Sequence, residues 1–397
     1  MTFSKRGTFV ASATVLALSL WASGAPSVLY PVYAAEWNLP PIVTTSVFGA
    51  YPVALLVVLL FFGSLSDTIG RRRAMLLGVG LIALSAVLFA IAPNVGFLFA
   101  GRILQGIGTG FAIGAASASL VENNFTGNPR IASTLATAST ATGLTLALIV
   151  SGALAQFAPL PLVLSFVVLF ALAAVAFVLV FLTPDDRLAD APTFRVSPVR
   201  LAPGMLRAFI LSTISVSIAY TVGAIFLSLG SQMAREFTQT TNLLVIGLLL
   251  GSSSLSIGIT ALFLSRIHTH VAIIVGGVLG LIGLGLMVTA SATGSIAFLL
   301  AWCIVGGVGY SFAFTGGLTL LNRTAPEHHR GATLSLLYLF AYLLQAGAAV
   351  GAGALATAFG LHVAIDIAAP VVAALCLVGI ALAAVDASAR RRVALAV

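Results

Sequence analysis

Long stretches almost free of charge alternate along this chain with short polar connections. Val43–Phe62 and Ala74–Ala92 are the clearest, each close to the roughly 20 residues that cross a bilayer as a helix. Twelve such spans are predicted, over 8–33, 42–64, 74–92, 95–120, 132–156, 160–182, 207–230, 242–265, 271–290, 294–320, 331–357 and 361–385. None has the ten-residue alternation of a membrane barrel strand, so the expected fold is an all-α bundle of twelve transmembrane helices. The first run, Thr8–Val32, exceeds a usual signal-peptide core. With Pro26 and Pro31 inside it, the run suits a kinked first span better.

The polar connections divide the bundle. The longest, 183–206, carries Pro184, Pro192, Pro198 and Pro203 with Asp185, Asp186 and Asp190, and is read as a solvated linker. It would separate a six-helix half over 1–182 from a second over 207–397, the latter with a short basic tail. The halves repeat at an offset of about 200 residues, estimated by matching apolar segments. Ser151-Gly-Ala-Leu-Ala155 answers Ala352-Gly-Ala-Leu-Ala356, and Arg130-Ile-Ala answers Arg330-Gly-Ala.

Composition agrees with this frame. Hydrophobic residues are 60% and charged residues 7% of the chain, which excludes a soluble globular domain. The net charge of +8 is scattered between spans, not gathered into a nucleic-acid surface, so no nucleic-acid partner is expected. With a cytoplasmic N-terminus, sixteen of the eighteen basic residues fall in cytoplasmic segments. Both termini are therefore placed in the cytoplasm and the chain in the cell (inner) membrane. Cys303 and Cys376 lie within apolar runs and predict neither a disulfide nor a metal site.

Between spans two and three stands Gly63-Ser-Leu65-Ser-Asp67-Thr-Ile-Gly70-Arg71-Arg72-Arg73. Asp67 and Arg71 are spaced to meet on one helical turn. Its degraded counterpart is Leu262–His270, with Arg266 where Asp67 stands. Gly63-x-Leu65-x-Asp67-x-x-Gly70-Arg71-Arg72 resembles the loop signature of the major facilitator superfamily, and the span count, central loop and half-repeat extend the resemblance over the whole chain. The resemblance implies that Asp67 faces the start of span eleven in the opposite half and latches the halves when the cavity opens outward. Glu122 and Arg130 match acidic and basic positions of the same switch, with Glu122 able to pair with Arg71.

Span four reads Gly101-Arg102-Ile-Leu-Gln105-Gly106-Ile-Gly108-Thr-Gly110, similar to a second motif of that family. An arginine inside a span costs about 2.5–3.5 kcal/mol on insertion scales and marks function. The resemblance implies that Arg102, with Gln105, faces the cavity and serves proton or substrate coupling. Gly106, Gly110 and Gly114 form a small-residue stripe for close helix packing. Asp366 is the best proton-binding carboxylate, if it does not reach the interface. Trp21, Tyr220, Asn242, Tyr310, Tyr338, Tyr342 and Gln345 are the remaining cavity candidates. Span five lacks the Gly-Pro pair of proton-driven drug exporters.

No phosphate-binding loop and no nucleophile–base arrangement is found, so neither an ATP-driven pump nor an enzyme is expected, and no cofactor. The leading expectation is a secondary transporter of a small drug-like or sugar-like solute, proton-coupled and export-directed, working as a monomer. A facilitator or importer without proton antiport, or a non-transporting sensor on the same fold, are the alternatives. If the hairpin governs switching, Asp67→Asn slows transport with little change in affinity. Solute flux and binding measured side by side test this, and affinity loss with normal turnover would count against it.

Overall fold

The computed structural model describes residues 3–186, 201, 204–264 and 267–395. Every element is helical: α1 (Lys5–Gly24), α2 (Tyr30–Trp37), α3 (Pro41–Phe62), α4 (Leu65–Ile69), α5 (Arg71–Ala90), α6 (Val95–Glu122), α7 (Pro129–Phe157), α8 (Leu164–Phe181), α9 (Leu206–Thr238), α10 (Leu243–Phe263), α11 (Thr269–Thr293), α12 (Ile296–Thr324), α13 (Glu327–Phe359) and α14 (Leu361–Leu395). Twelve of them are long and apolar enough to cross a membrane, matching the twelve expected spans. Most of the predicted linker, Arg266 and the side chain of Glu327 lie outside the described residues.

Span one departs from a single helix. Pro26 and Pro31 have no N–H to give, and the chain breaks over residues 25–29 into α1 and α2. Ser27 turns its N–H back to the Gly24 carbonyl at 3.0 Å, one residue short of the α-helical partner. Several later helices outrun their predicted ends. In α9 the extension is a polar turn held by Gln232 Nε2 donating to Glu236 Oε1 at 2.8 Å, one turn apart.

Close packing within each group rests on glycine. A Cβ at Gly106 would stand 2.4 Å from the Tyr51 carbonyl of α3, and one at Gly108 2.7 Å from the Gly78 carbonyl of α5. The second group answers at Gly307, 2.5 Å from the Ser253 carbonyl of α10, and at Gly276 against Ala313 of α12. The predicted glycine stripe on α6 is therefore partly right. Gly106 and Gly110 pack against α3, whereas Gly114 faces open space.

Helices α1–α8 and α9–α14 meet at two pseudo-equivalent crossings, α3 on α13 and α7 on α10. Both crossings are tight toward one end. The Ile42 N–H donates to Thr357 Oγ1 at 2.9 Å, and the Leu243 N–H to Gln156 Oε1 at 2.8 Å. Ser231 Oγ donates to the Ser27 carbonyl at 2.8 Å, and Arg235 reaches the Pro31 carbonyl at 3.4 Å. All four bonds join helix ends remote from Lys5 and the Arg71–Arg73 cluster. The groups are thus clasped at this far face. One seam is glycine on glycine: a Cβ at Gly152 would come 2.5 Å from the Leu243 carbonyl, and one at Gly247 2.5 Å from the Leu148 carbonyl. Gly152→Val should destabilise this clasp by about 1–3 kcal/mol. Maleimide labelling of Ser27→Cys from the far side is expected to rise in that background; unchanged labelling would mean the seam does not hold the groups closed.

Candidate functional site

The deepest polar feature is Arg102, with no exposed surface. The break in span one creates its setting. Because Ser27 bonds to Gly24, the Ser23 carbonyl loses its helical donor and instead accepts Arg102 Nη1 at 3.0 Å. Arg102 Nε donates to Tyr30 Oη at 2.9 Å, Nη2 donates to the same hydroxyl, and Nη1 also reaches Gln105 Oε1 at 3.2 Å. The guanidinium lies near the rings of Tyr30, Phe48 and Tyr51, 5.5, 5.9 and 5.8 Å from their centroids. Neutral oxygens and aromatic faces therefore surround this cation, and among the described residues no carboxylate bonds to it. The Gln105 amide nitrogen and the Thr109 hydroxyl, one and two turns on, stay buried without a protein partner.

Across the interface the second group presents an aromatic cluster. Tyr220 stacks on Phe314 at 5.9 Å and on Tyr310 at 6.5 Å, and meets Tyr342 at 4.9 Å. Tyr338 adjoins Tyr342 at 5.9 Å. Tyr310, Tyr338 and Tyr342 are half-buried. Gly49 of α3 lies against Ala346 and Val350 of α13, which brings Tyr51, beside Arg102, near the turn that carries Tyr342. The two clusters thus face one another near the middle of the bundle. Gln345, one turn beyond Tyr342, has a buried amide oxygen without a partner.

Other candidates go elsewhere. Asn242 is the N-cap of α10, its Oδ1 accepting the N–H groups of Leu244 and Val245 at 3.0 and 3.2 Å, and so does not line the cavity. Asp366 is exposed on α14, outside the interior. Its position follows from helical phase: Ala364 and Ile365 take the buried face beside it. Trp21 is buried in the core of the first group, its indole nitrogen without a partner.

At the basic face the hairpin assembles around Arg71, which pairs with Asp67 and with Glu122 at 3.2 Å and bonds Ser66 Oγ at 2.7 Å. Gly70 is required by conformation, at φ +92°. Gly63 is right-handed and Leu65 opens the short α4. Asp67 bonds to Arg71. Arg130 is exposed, its N–H taken by the Asn128 cap at 3.0 Å.

Two residues escaped notice. Asp186, read as part of a solvated linker, docks on the start of α5, accepting the Arg71 and Arg72 N–H groups at 3.0 and 3.2 Å. Its neighbour Asp185 pairs with Arg73 at 2.9 Å, and Arg72 reaches the Phe181 carbonyl. Asp386 stands 200 residues after Asp186 and does the corresponding work in the second group. It is buried between His270 Nε2 at 2.6 Å, on the start of α11, and Arg207 Nε at 2.7 Å. His270, placed by sequence in an open basic loop, is in fact enclosed. The 200-residue repeat was the signal that could have found this pair.

The model of the Major Facilitator Superfamily matches residues 12–349. The chain belongs to the Major Facilitator Superfamily, a multi-pass membrane family of transporters and not enzymes. It is 36% identical over 112 residues to the MFS-type transporter EfpA of Mycobacterium tuberculosis, covering 28% of this chain and 21% of EfpA. It is 34% identical over 77 residues to multidrug resistance protein D of Escherichia coli, covering 19% of this chain and 20% of that protein. The matches span only about a fifth of those relatives' lengths. Among solved structures, the nucleoside transporter NupG superposes with a TM-score of 0.73 at 12% identity, over 95% of this chain and 98% of NupG. A bacterial homologue of the lysosomal transporter Spinster, inward-facing and unoccupied, gives 0.74 at 13% identity, over 96% and 98%.

Removing Asp386 strands a buried histidine nitrogen. Asp386→Ala should therefore lower stability by about 1–3 kcal/mol, read as thermal unfolding in detergent. A stability equal to that of the unsubstituted chain would show that the cluster is not structural.

Proposed function

We propose that this protein is a secondary transporter that exports a small organic solute by alternating access, as a monomer in the cell (inner) membrane with its basic face in the cytoplasm. The observation that carries this reading is the juxtaposition of the Arg102 and Tyr220–Tyr342 clusters across an interface clasped at its far face. In that orientation the solute enters from the cytoplasm, meets the tyrosine wall and lies beneath the closed far end that holds Arg102. Rocking of the groups about the α3–α13 and α7–α10 crossings then exposes the same site outward. Breaking the far-face bonds is balanced by engagement of the Asp67 hairpin with the start of α13. One partial relative is named a multidrug resistance protein, which supports export.

The arrangement favours a carrier whose protein side holds no proton-binding carboxylate. Asp366, the proton site expected from sequence, is exposed on the outside of α14 and gives antiport no support.

Accessibility tests alternating access without knowledge of the solute. In a chain whose Cys303 and Cys376 are replaced by alanine, Gln345→Cys should react with impermeant maleimide from the basic side. Adding Gly152→Val should make it reactive from the opposite side as well. Reaction from one side only, under every condition, would favour the non-transporting sensor.

A further inference from the structure

We propose that the central site selects a small aromatic solute bearing one negative charge and rejects organic cations. This deepens the transport reading and rests on it. The chain has ten carboxylates. Asp67 and Glu122 are held by Arg71, Asp185 and Asp186 lie at the start of α5, and Asp386 lies between His270 and Arg207. Glu327 opens α13 at the same basic face. Glu36 and Glu236 stand near the far ends of α2 and α9, Asp366 is exposed on α14, and Asp190 belongs to the connection outside the described residues. Among the described residues, none bonds to Arg102 or stands among the tyrosines.

The groups facing Arg102 are the Ser23 carbonyl from α1, Tyr30 from α2, Phe48 and Tyr51 from α3, and Gln105 from its own helix. Tyrosine hydroxyls remain neutral well beyond physiological pH. The histidines are at helix ends: His268 and His270 at the start of α11, His328 and His329 in α13's first turn, and His362 against Ser291 at the far face. The protein side of the site thus carries a fixed single positive charge. Its partners are aromatic faces and two unmatched amides, the Gln105 nitrogen and the Gln345 oxygen. An aromatic anion supplies the missing charge and stacks on the tyrosines. An aromatic cation would meet a like charge in a poorly screened interior. Any pH dependence of binding then follows ionisation of the solute and not of the protein.

The test uses the full chain in proteoliposomes and three probes of one shape, naphthoate, naphthamide and naphthylmethylamine. Naphthoate should bind and exchange about tenfold better than the amine, a difference of about 1.4 kcal/mol. Its binding should be flat between about pH 5 and 8, where histidines titrate. Binding of para-nitrophenol, followed by thermal shift, should rise with its ionised fraction. Arg102→Gln should erase the preference and Arg102→Lys should keep it. If Arg102→Gln does not fold, the charge series on the unsubstituted protein and on Arg102→Lys decides alone. Equal or better binding of the amine, a preference that survives Arg102→Gln, or no binding of any probe would overturn the proposal. The transport reading would still stand or fall on the accessibility of Gln345→Cys.

Discussion

A guanidinium buried among neutral partners organises this molecule. Such a charge survives in an apolar interior only if fixed dipoles replace its water shell. Here they are one carbonyl, one tyrosine hydroxyl shared by two nitrogens, one amide and three ring faces. Four elements supply them. Removing any one would leave Arg102 short of partners, so α1, α2, α3 and α6 are held to one relative arrangement. That fixed wall is what the second group moves against.

The glycines set the scale on which this motion is possible. Inside each group they bring backbones to contact at Gly78, Gly108, Gly276 and Gly307, and such seams resist sliding. Between the groups the glycine contacts at Gly152 and Gly247 lie toward the far face, and the same crossing continues at Gly251 against Ile149 and Gly258 against Ala141. Interlocked within each group, the helices form two stiff bodies that meet along these crossings.

Much of this was legible in the chain before any coordinates. Span number followed from apolar run length, because a bilayer imposes a fixed thickness on every crossing. The pairing of Arg71 with Asp67 followed from a four-residue spacing. What escaped was what lies between elements. Asn242 looked like a polar residue inside a span, yet a helix start needs a side-chain oxygen there. Asp366 looked intramembrane by distance from the span end, but helical phase turns it outward. Tyr30 and Ser23 gave no signal, since a tyrosine near a proline and a bare carbonyl carry no pattern. Asp186 and Asp386 were hidden by the habit of reading aspartates after a span as solvent-facing.

The break in span one has a further meaning. Its two unclaimed carbonyls lie four residues apart and look in different directions. Ser23 holds the interior cation, while Ser27, freed by Pro31, holds Ser231 of the other group. Should Arg102 let go of Ser23, the Ser27 N–H regains an α-helical acceptor, and the strand of backbone between them can rewind by a fraction of a turn. Rewinding moves the very carbonyl that Ser231 grips. Two prolines thus turn one stretch of main chain into a lever with the charge at one end and the clasp at the other.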